Sequence, residues 1–261
     1  MNAISLNTMG TNAWRLLIPA AAGFTVDAFG FEAVYYIMAG LYALGAVLIA
    51  FLPLTGKIVA STKNALGEIV EGFKYVRSEK IILFLLVFTL FGVVLAMPYQ
   101  QMMPVFVDNV LKVGAKGMGI LISVSGIGAL AGSLVLASLP SKKRGLMLFL
   151  GTMLLGLSIM IFSFSKSWSL SLVTMVFVGL GQTARMTLSN TLTQSYVKDE
   201  YRGRVMGIYD MEQAFTAGSV YLAGVLTEAF SVEWAIGGFA MLLVFVCIMA
   251  LLFARRIRDL D

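Results

Sequence analysis

The chain has 261 residues, of which 59% are hydrophobic and 13% are charged, and its net charge is +5. A soluble domain is about half apolar and about a quarter charged, so this chain has too little polar surface to cover itself in water. The composition therefore predicts an all-α integral membrane protein. The positive charge does not indicate a nucleic-acid partner, because the basic residues fall mainly in loops between apolar runs.

Eight apolar segments are long enough to cross a bilayer, which takes about 20 helical residues. In chain order, the predicted spans are Thr8–Phe29, Phe31–Leu54, Ile81–Val107, Gly117–Leu139, Leu146–Ser165, Trp168–Thr193, Val205–Phe230 and Trp234–Ala254.

Lysine and arginine are distributed unevenly between the loops on the two sides of these spans. Alternate loops and the carboxyl-terminal tail carry fourteen of them, whereas the opposite loops carry only Lys112, Lys116 and Lys166. Loops rich in lysine and arginine stay in the cytoplasm. The bias predicts a multi-pass protein of the cell membrane with both termini in the cytoplasm.

The longest polar interruption runs from Thr55 to Lys80. Apolar residues recur within it at helical spacing with charged residues between them, which is the pattern of an amphipathic helix on a membrane surface. This linker leaves two spans before it and six after it. We therefore divide the chain into residues 1–54, a linker (55–80), a six-helix bundle (81–254) and a basic cytoplasmic tail (255–261).

The end of the chain repeats its beginning. Gly23–Glu32 reads GFTVDAFGFE, and Gly224–Glu233, 201 positions later, reads GVLTEAFSVE. Each copy lies between two apolar stretches, so the copies predict like-oriented helix–loop–helix units, as in transporters built from parallel repeats. The repeat pairs the first two spans with the last two. We expect the first two to be the end of a second bundle, truncated at its amino terminus by four spans.

Four segments are similar to loops of one transporter family. Asp199–Tyr209 (DEYRGRVMGIY) resembles the family's loop between spans ten and eleven, and Gly67–Ile82 resembles the linker entering span seven. Met103–Leu121 is similar to the outer loop between spans seven and eight, and Ser138–Gly145 to the basic loop after span eight. The family is the major facilitator superfamily, and the nearest branch is that of drug and siderophore exporters related to the enterobactin exporter.

The resemblance implies twelve spans in two six-helix halves, of which this chain holds spans five to twelve. Arg15–Gly23 (RLLIPAAAG) resembles the antiporter motif of span five, but has Ile18 and Ala22 where the motif has glycines. By resemblance, the function is proton-coupled efflux of a small amphipathic molecule across a cell inner membrane. The implied partners are that molecule, protons, lipid and the missing amino-terminal helices.

Charged residues within spans are the strongest functional signals, because a charge at mid-membrane costs about 2.5–3.5 kcal/mol. Arg185 and Glu212 lie roughly 12–17 Å from the cytoplasmic side at 1.5 Å per helical residue, and Arg15 lies at a comparable depth. We expect Arg185 and Glu212 to meet as an ion pair or to line one cavity. A purely structural ion pair between two helices is the alternative.

Neutral polar residues accompany these charges. Gln182 and Ser189 share the helical face of Arg185, and Thr216 shares that of Glu212. Gln100 and Gln101 interrupt an apolar span. The resemblance implies that spans seven, ten and eleven line the central cavity, so these residues are predicted to line it.

Two further patterns concern packing and gating. Gly128 and Gly132 have a spacing that lets membrane helices approach closely. Asp199, Arg202, Arg204 and Asp210 form a charged cytoplasmic cluster, for which the resemblance implies a gate closed by ion pairs to the ends of spans. The alternative is that these arginines only orient the chain.

Transport is the favoured function, and a non-transporting membrane fragment or assembly subunit is the second possibility. A membrane-embedded transferase is less favoured, because it needs clustered acids for a metal or a nucleophile with its base, and neither occurs. The chain has no histidine and one cysteine, Cys247. We therefore expect no enzyme activity, metal or cofactor.

Overall fold

Every regular element in the described part of the chain is helical. The computed structural model describes residues 2–51, 65–139, 142–258 and 260. A π-helical turn (Val107–Leu111) follows α4, and 3₁₀ turns (Asp199–Tyr201 and Glu212–Phe215) precede α8 and α9. The α-helices are α1 (Asn2–Ala50), α2 (Ala65–Ser78), α3 (Lys80–Ala96), α4 (Pro98–Phe106), α5 (Gly114–Ser138), α6 (Arg144–Phe164), α7 (Trp168–Tyr196), α8 (Arg202–Met211), α9 (Thr216–Ala229), α10 (Val232–Phe253) and α11 (Arg255–Arg258).

Within the described residues, five helical segments are long and apolar enough to cross a bilayer. They are Ala28–Ala50, Lys80–Leu111, Gly114–Ser138, Arg144–Phe164 and Val232–Phe253. These segments support a multi-pass membrane protein, while the count of eight spans stays a prediction. The predicted spans at α7 and at α8–α9 are not among the five, because α7 is more polar and a 3₁₀ turn divides α8 from α9.

Both copies of the repeat interrupt their helices at the same position. Gly30 has φ 78° and ψ 174° inside α1, and Ser231, 201 positions later, has φ −173° and ψ 165° between α9 and α10. Glycine suits the first site because only it adopts positive φ without steric cost. Ser231 has an extended backbone conformation, which any residue can adopt. The interruption predicted between Phe29 and Phe31 is therefore present, and superposition of the two helix pairs stays a prediction.

The predicted span Ile81–Val107 consists of α3, α4 and the start of the π-helical turn. α3 ends at Ala96 and α4 begins at Pro98, and Met97 between them keeps helical dihedral angles. Proline has no N–H to donate to the preceding turn, so one backbone hydrogen bond is missing where the two helices join. The π-helical turn then extends helical structure to Leu111, four residues beyond the predicted end.

Glycines allow a close contact between α5 and α7. A β-carbon on Gly128 of α5 would lie 1.8 Å from the carbonyl oxygen of Val176, and one on Gly179 of α7 would lie 1.8 Å from that of Ser125. Only glycine allows these backbones to approach so closely. The packing role predicted for Gly128 is confirmed.

The predicted linker contains an α-helix. This helix runs from Ala65 to Ser78, and residues 55–64 of the linker lie outside the described residues. Tyr75 and Val76 are buried, whereas Ile69, Val70 and Phe73 are exposed. One face of α2 therefore packs on the bundle while another apolar face is uncovered.

The carboxyl-terminal segment was predicted as a basic tail, but part of it packs on the bundle. The backbone N–H of Gly145 donates to the carbonyl oxygen of Leu260 at 3.1 Å, and Ile257 is buried. A β-carbon on Gly145 would lie 1.8 Å from the carbonyl oxygen of Ile257. α11 thus lies against the start of α6.

Candidate functional site

Two charged side chains of the predicted spans are buried in the bundle. Arg185 on α7 is 2% exposed, and Glu212, at the start of the 3₁₀ turn after α8, is 5% exposed. Burial of charge inside a membrane is costly and usually marks a substrate or ion pathway. These two residues are therefore the centre of the candidate site.

Arg185 lies across the surface of α3. A β-carbon on Gly92 would be 3.2 Å from Cδ of Arg185, so the glycine leaves room for the arginine stem. Tyr99, Tyr209 and Glu212 lie close enough to the guanidinium to interact with it electrostatically. Its buried Nε has no hydrogen-bond partner.

Glu212 bonds to a residue that sequence reasoning missed. Thr89 Oγ1 donates to Glu212 Oε1 at 2.6 Å, and Thr89 is 1% exposed. No direct ion pair joins Arg185 to Glu212 among the described residues, although the two charges lie close enough to interact. Of the two arrangements predicted for them, the ion pair is therefore not observed, and a shared cavity stays a prediction. Threonines in apolar helices usually bond to their own backbone, which is why Thr89 gave no signal.

The helix carrying Glu212 is interrupted at that residue. The sequence predicted one continuous span from Val205 to Phe230, but the 3₁₀ turn Glu212–Phe215 separates α8 from α9. A stretch of 3₁₀ helix inside a longer helix often marks a functional hinge. The buried carboxyl therefore lies at a break in its own span.

Gln182 and Ser189 extend the polar region along α7. Both are buried, and Gln182 Oε1 has no hydrogen-bond partner. The Ser189 hydroxyl donates to the carbonyl oxygen of Arg185 at 2.7 Å and lies 3.1 Å from Tyr209 Oη. Tyr209 is on α8, so this contact joins α7, which carries Arg185, to the helix that leads into the turn with Glu212.

The other predicted cavity residues whose side chains are described are less buried than Arg185 and Glu212. Gln100 and Gln101 are exposed, and Gln100 Nε2 donates to Tyr99 Oη at 3.1 Å. Thr216 is half-buried and donates to the carbonyl oxygen of Gln213 at 2.6 Å. The side chain of Arg15 lies outside the described residues.

Two of the cytoplasmic arginines form ion pairs within the described residues, and the predicted gate stays a prediction. Arg204 pairs with Glu71 of α2 at 3.3 Å, and Arg202 pairs with Asp199 one turn away. Asp210 is exposed. The ion pair of Arg204 therefore joins the start of α8 to the linker helix, which the sequence had placed only on the membrane surface.

Aromatic contacts hold the same junction together. The rings of Tyr75 on α2 and Tyr201 stack with centroids 4.1 Å apart and planes within 2°. The backbone N–H of Lys198 donates to Tyr75 Oη at 3.2 Å. We call Glu71, Tyr75, Tyr201 and Arg204 the linker clamp, since they attach α2 to the segment between α7 and α8.

Two apolar clefts lie apart from the buried charges. One, of about 450 Å³, lies between α3 and α10 and is lined largely by phenylalanines such as Phe84, Phe91 and Phe245. The other, of about 300 Å³, lies between α1 and α5 and includes Phe31 and Asp108. Neither cleft reaches Arg185 or Glu212.

Comparison with known proteins decides the family. The family model described as Major Facilitator Superfamily matches residues 1–219. The chain belongs to this superfamily. It is a family of multi-pass membrane transporters rather than of enzymes.

One relative is a bacterial transporter of the same type. The MFS-type transporter YfiS of Bacillus subtilis (strain 168), itself uncharacterised, is 27% identical to this chain over 268 aligned positions. The alignment covers 96% of this chain and 63% of YfiS. The chain thus spans less than two thirds of that relative's length.

Proposed function

We propose that the chain is part of a secondary transporter that exports a small amphipathic molecule across the cell membrane in exchange for protons. The observation that supports this most is the buried pair of groups, a carboxyl on Glu212 and a guanidinium on Arg185, inside a bundle of this superfamily. Intramembrane ionisable groups commonly serve as proton relays or substrate sites. Within this proposal, the exported molecule belongs to the drug or siderophore class.

Each buried group has a separate role in this mechanism. Glu212 takes up and releases the proton, and Arg185 offsets the negative charge when Glu212 is ionised. Gln182 and Ser189 supply further polar atoms to the same region. Gln100, Gln101 and Thr216, which reach the surface of the bundle or lie near it, contact the substrate.

The conformational change in this mechanism uses the break at Glu212 and the linker clamp. The 3₁₀ turn lets α8 and α9 tilt relative to each other, and Arg204 passes movement of α8 to α2 through Glu71. Alternating access by rocking of two bundles is the transport mode proposed. Further helices of the same transporter cover the exposed apolar face of Ala28–Ala50, so that this chain supplies spans five to twelve.

The central test replaces Glu212→Gln and compares it with Glu228→Gln, an exposed acid of α9. Fluorescent cationic, neutral and anionic amphiphiles are added outside inside-out vesicles with an acidic lumen, and their uptake is driven by the pH gradient. We expect Glu212→Gln to lower uptake by on the order of tenfold or more, because glutamine exchanges no proton. Glu228→Gln should transport normally at the same protein level.

Three outcomes separate the alternatives. Normal uptake by an abundant Glu212→Gln variant across pH overturns the role of Glu212. Uptake that is independent of the pH gradient overturns proton coupling. Absence of uptake by the unsubstituted chain for every probe favours the non-transporting fragment.

Orientation is tested with a reporter enzyme that is active only outside the cytoplasm. The charge bias predicts activity for a fusion after Ser165 and none for a fusion after Lys143. Western blots of both fusions control for expression. Activity after Lys143 alone reverses the proposed orientation and removes the cytoplasmic assignment of both termini.

A further inference from the structure

The hydroxyl of Thr89 has two possible hydrogen-bond acceptors. Thr89 Oγ1 lies 2.6 Å from Glu212 Oε1 and 3.1 Å from the backbone carbonyl oxygen of Leu86. A hydroxyl carries one proton and two acceptor lone pairs, so it donates to one of these groups at a time. The same atom therefore fits two hydrogen-bond patterns without movement of either helix.

These patterns match the two protonation states of Glu212. When Glu212 is ionised, Thr89 donates to the carboxylate. When Glu212 is protonated, its own O–H donates to Thr89 Oγ1, and the threonine proton turns to the carbonyl oxygen of Leu86. In both states the Thr89 hydroxyl and Glu212 Oε1 keep a hydrogen-bond partner. This lowers the free-energy cost of changing the protonation state of a buried group.

Other charged and titratable groups surround the carboxyl. Arg185 faces it from α7, and Tyr209 and Asp210 lie on α8, while Tyr99 of α4 faces the same guanidinium. Of the described residues, only Thr89 is within hydrogen-bond distance of the Glu212 carboxyl through its side chain. Thr89 is therefore placed to decide which hydrogen bonds each protonation state makes.

We propose that Thr89 is the positioning residue that allows Glu212 to exchange a proton within the bundle. This inference rests on the proposed function, since it describes how the same carboxyl is held. It also links the proton to helix movement, because a hydrogen bond to a carboxylate is about twice as strong as one between neutral groups. Ionisation of Glu212 tightens the contact between α3 and the 3₁₀ turn, and protonation loosens it.

The test follows the Glu212 carboxyl directly by infrared difference spectroscopy on the purified chain in lipid nanodiscs during a pH titration. The C=O band that disappears in Glu212→Gln identifies the protonated acid. We expect Thr89→Val to shift this band to higher frequency, because the protonated acid loses its acceptor. Thr89→Ser restores the hydroxyl and should return the band to its original position.

A matched control separates this effect from general loss of a buried hydroxyl. Thr152 is also fully buried, but its hydroxyl donates only to the carbonyl oxygen of Leu148 at 2.8 Å. Thr152→Val should leave the Glu212 band unchanged. If Thr89→Val does not fold, Thr89→Ala and Thr89→Ser provide the same comparison.

The outcomes distinguish this inference from the proposed function. If the Glu212 band titrates with pH but is the same in Thr89→Val, Thr89 has no positioning role and proton exchange at Glu212 stands. If no Glu212 band appears or disappears over the pH range, both ideas fail. A shift in Thr89→Val that Thr89→Ser does not reverse also overturns the role of the hydroxyl.

Discussion

The segment Ala28–Ala50 and the helix α6 are alike in hydropathy and opposite in their surroundings. The 18-residue stretches that represent them have mean hydropathies of 1.9 and 2.2. None of the residues in the stretch from Ala28–Ala50 are buried, whereas 56% of those in the stretch from α6 are. Glycines explain much of the contrast. β-carbons on Gly151 and Gly156 of α6 would lie within 3.0 Å of neighbouring side chains, whereas those on Gly40 and Gly45 would meet nothing within 4 Å.

This contrast shows that hydropathy and packing are separate properties of a membrane helix. Hydropathy sets the preference for lipid over water, but lipid is as apolar as a neighbouring helix and gives no reason to pack. Close approach needs small residues at matched positions on two helices. α6 meets this condition against α7 and α10, whereas Ala28–Ala50 is uncovered in this chain.

The largest effect should come from the buried charge. We expect Arg185→Ala to lower the free energy of unfolding by about 3–5 kcal/mol, because Glu212 is left as a buried charge without its compensating cation. Glu32→Ala, at an exposed acid of the uncovered segment, should change it by less than about 0.5 kcal/mol. Unfolding in mixed detergent micelles measures both.

A double variant sharpens this comparison. Arg185→Met combined with Glu212→Gln removes both charges, so it should be more stable than Arg185→Ala alone. Equal stability of Arg185→Ala and Glu32→Ala would mean that the bundle interior tolerates unbalanced charge as well as the uncovered segment does.

The next largest effect comes from replacing a glycine by alanine, once in the packed bundle and once in Ala28–Ala50. Gly128→Ala places a methyl group against the Val176 carbonyl oxygen. A backbone atom cannot move aside as a flexible side chain can, so the variant should lose about 1–3 kcal/mol of unfolding free energy. Gly40→Ala has open space around it and should stabilise its helix by up to about 1 kcal/mol. Thermal unfolding followed by size-exclusion chromatography compares the variants. A loss of folded protein for Gly40→Ala would show that this helix is packed after all.

The smallest effect concerns the linker clamp, which belongs to neither of the two regions. Glu71→Ala removes a partly exposed ion pair to Arg204 and should cost about 0.2–1 kcal/mol. Glu200→Ala, at an exposed acid in the adjacent turn, is the control. A difference larger than this range in the same unfolding assay would indicate that α2 contributes more to the bundle than its contacts suggest.

Local chemistry let the sequence determine a large part of this protein. Composition determined the membrane class, the motifs at Asp199–Tyr209 and Gly67–Ile82 indicated the superfamily, and the Gly30 interruption followed from the repeat. The close helix contact at Gly128 was also predictable. Hydropathy, glycine and proline act within a few residues, so a single chain segment carries the whole signal.

Only the tertiary structure decided what surrounds the buried charges. Thr89 and Glu212 are 123 positions apart, and their contact depends on how α3 and the segment after α8 are rotated about their axes. The same holds for Gly92 beneath Arg185 and for Glu71 beside Arg204. Helix rotation is set by the summed packing of many side chains, and a shift of one residue turns a helix by about 100°, so no local pattern records which side chains meet.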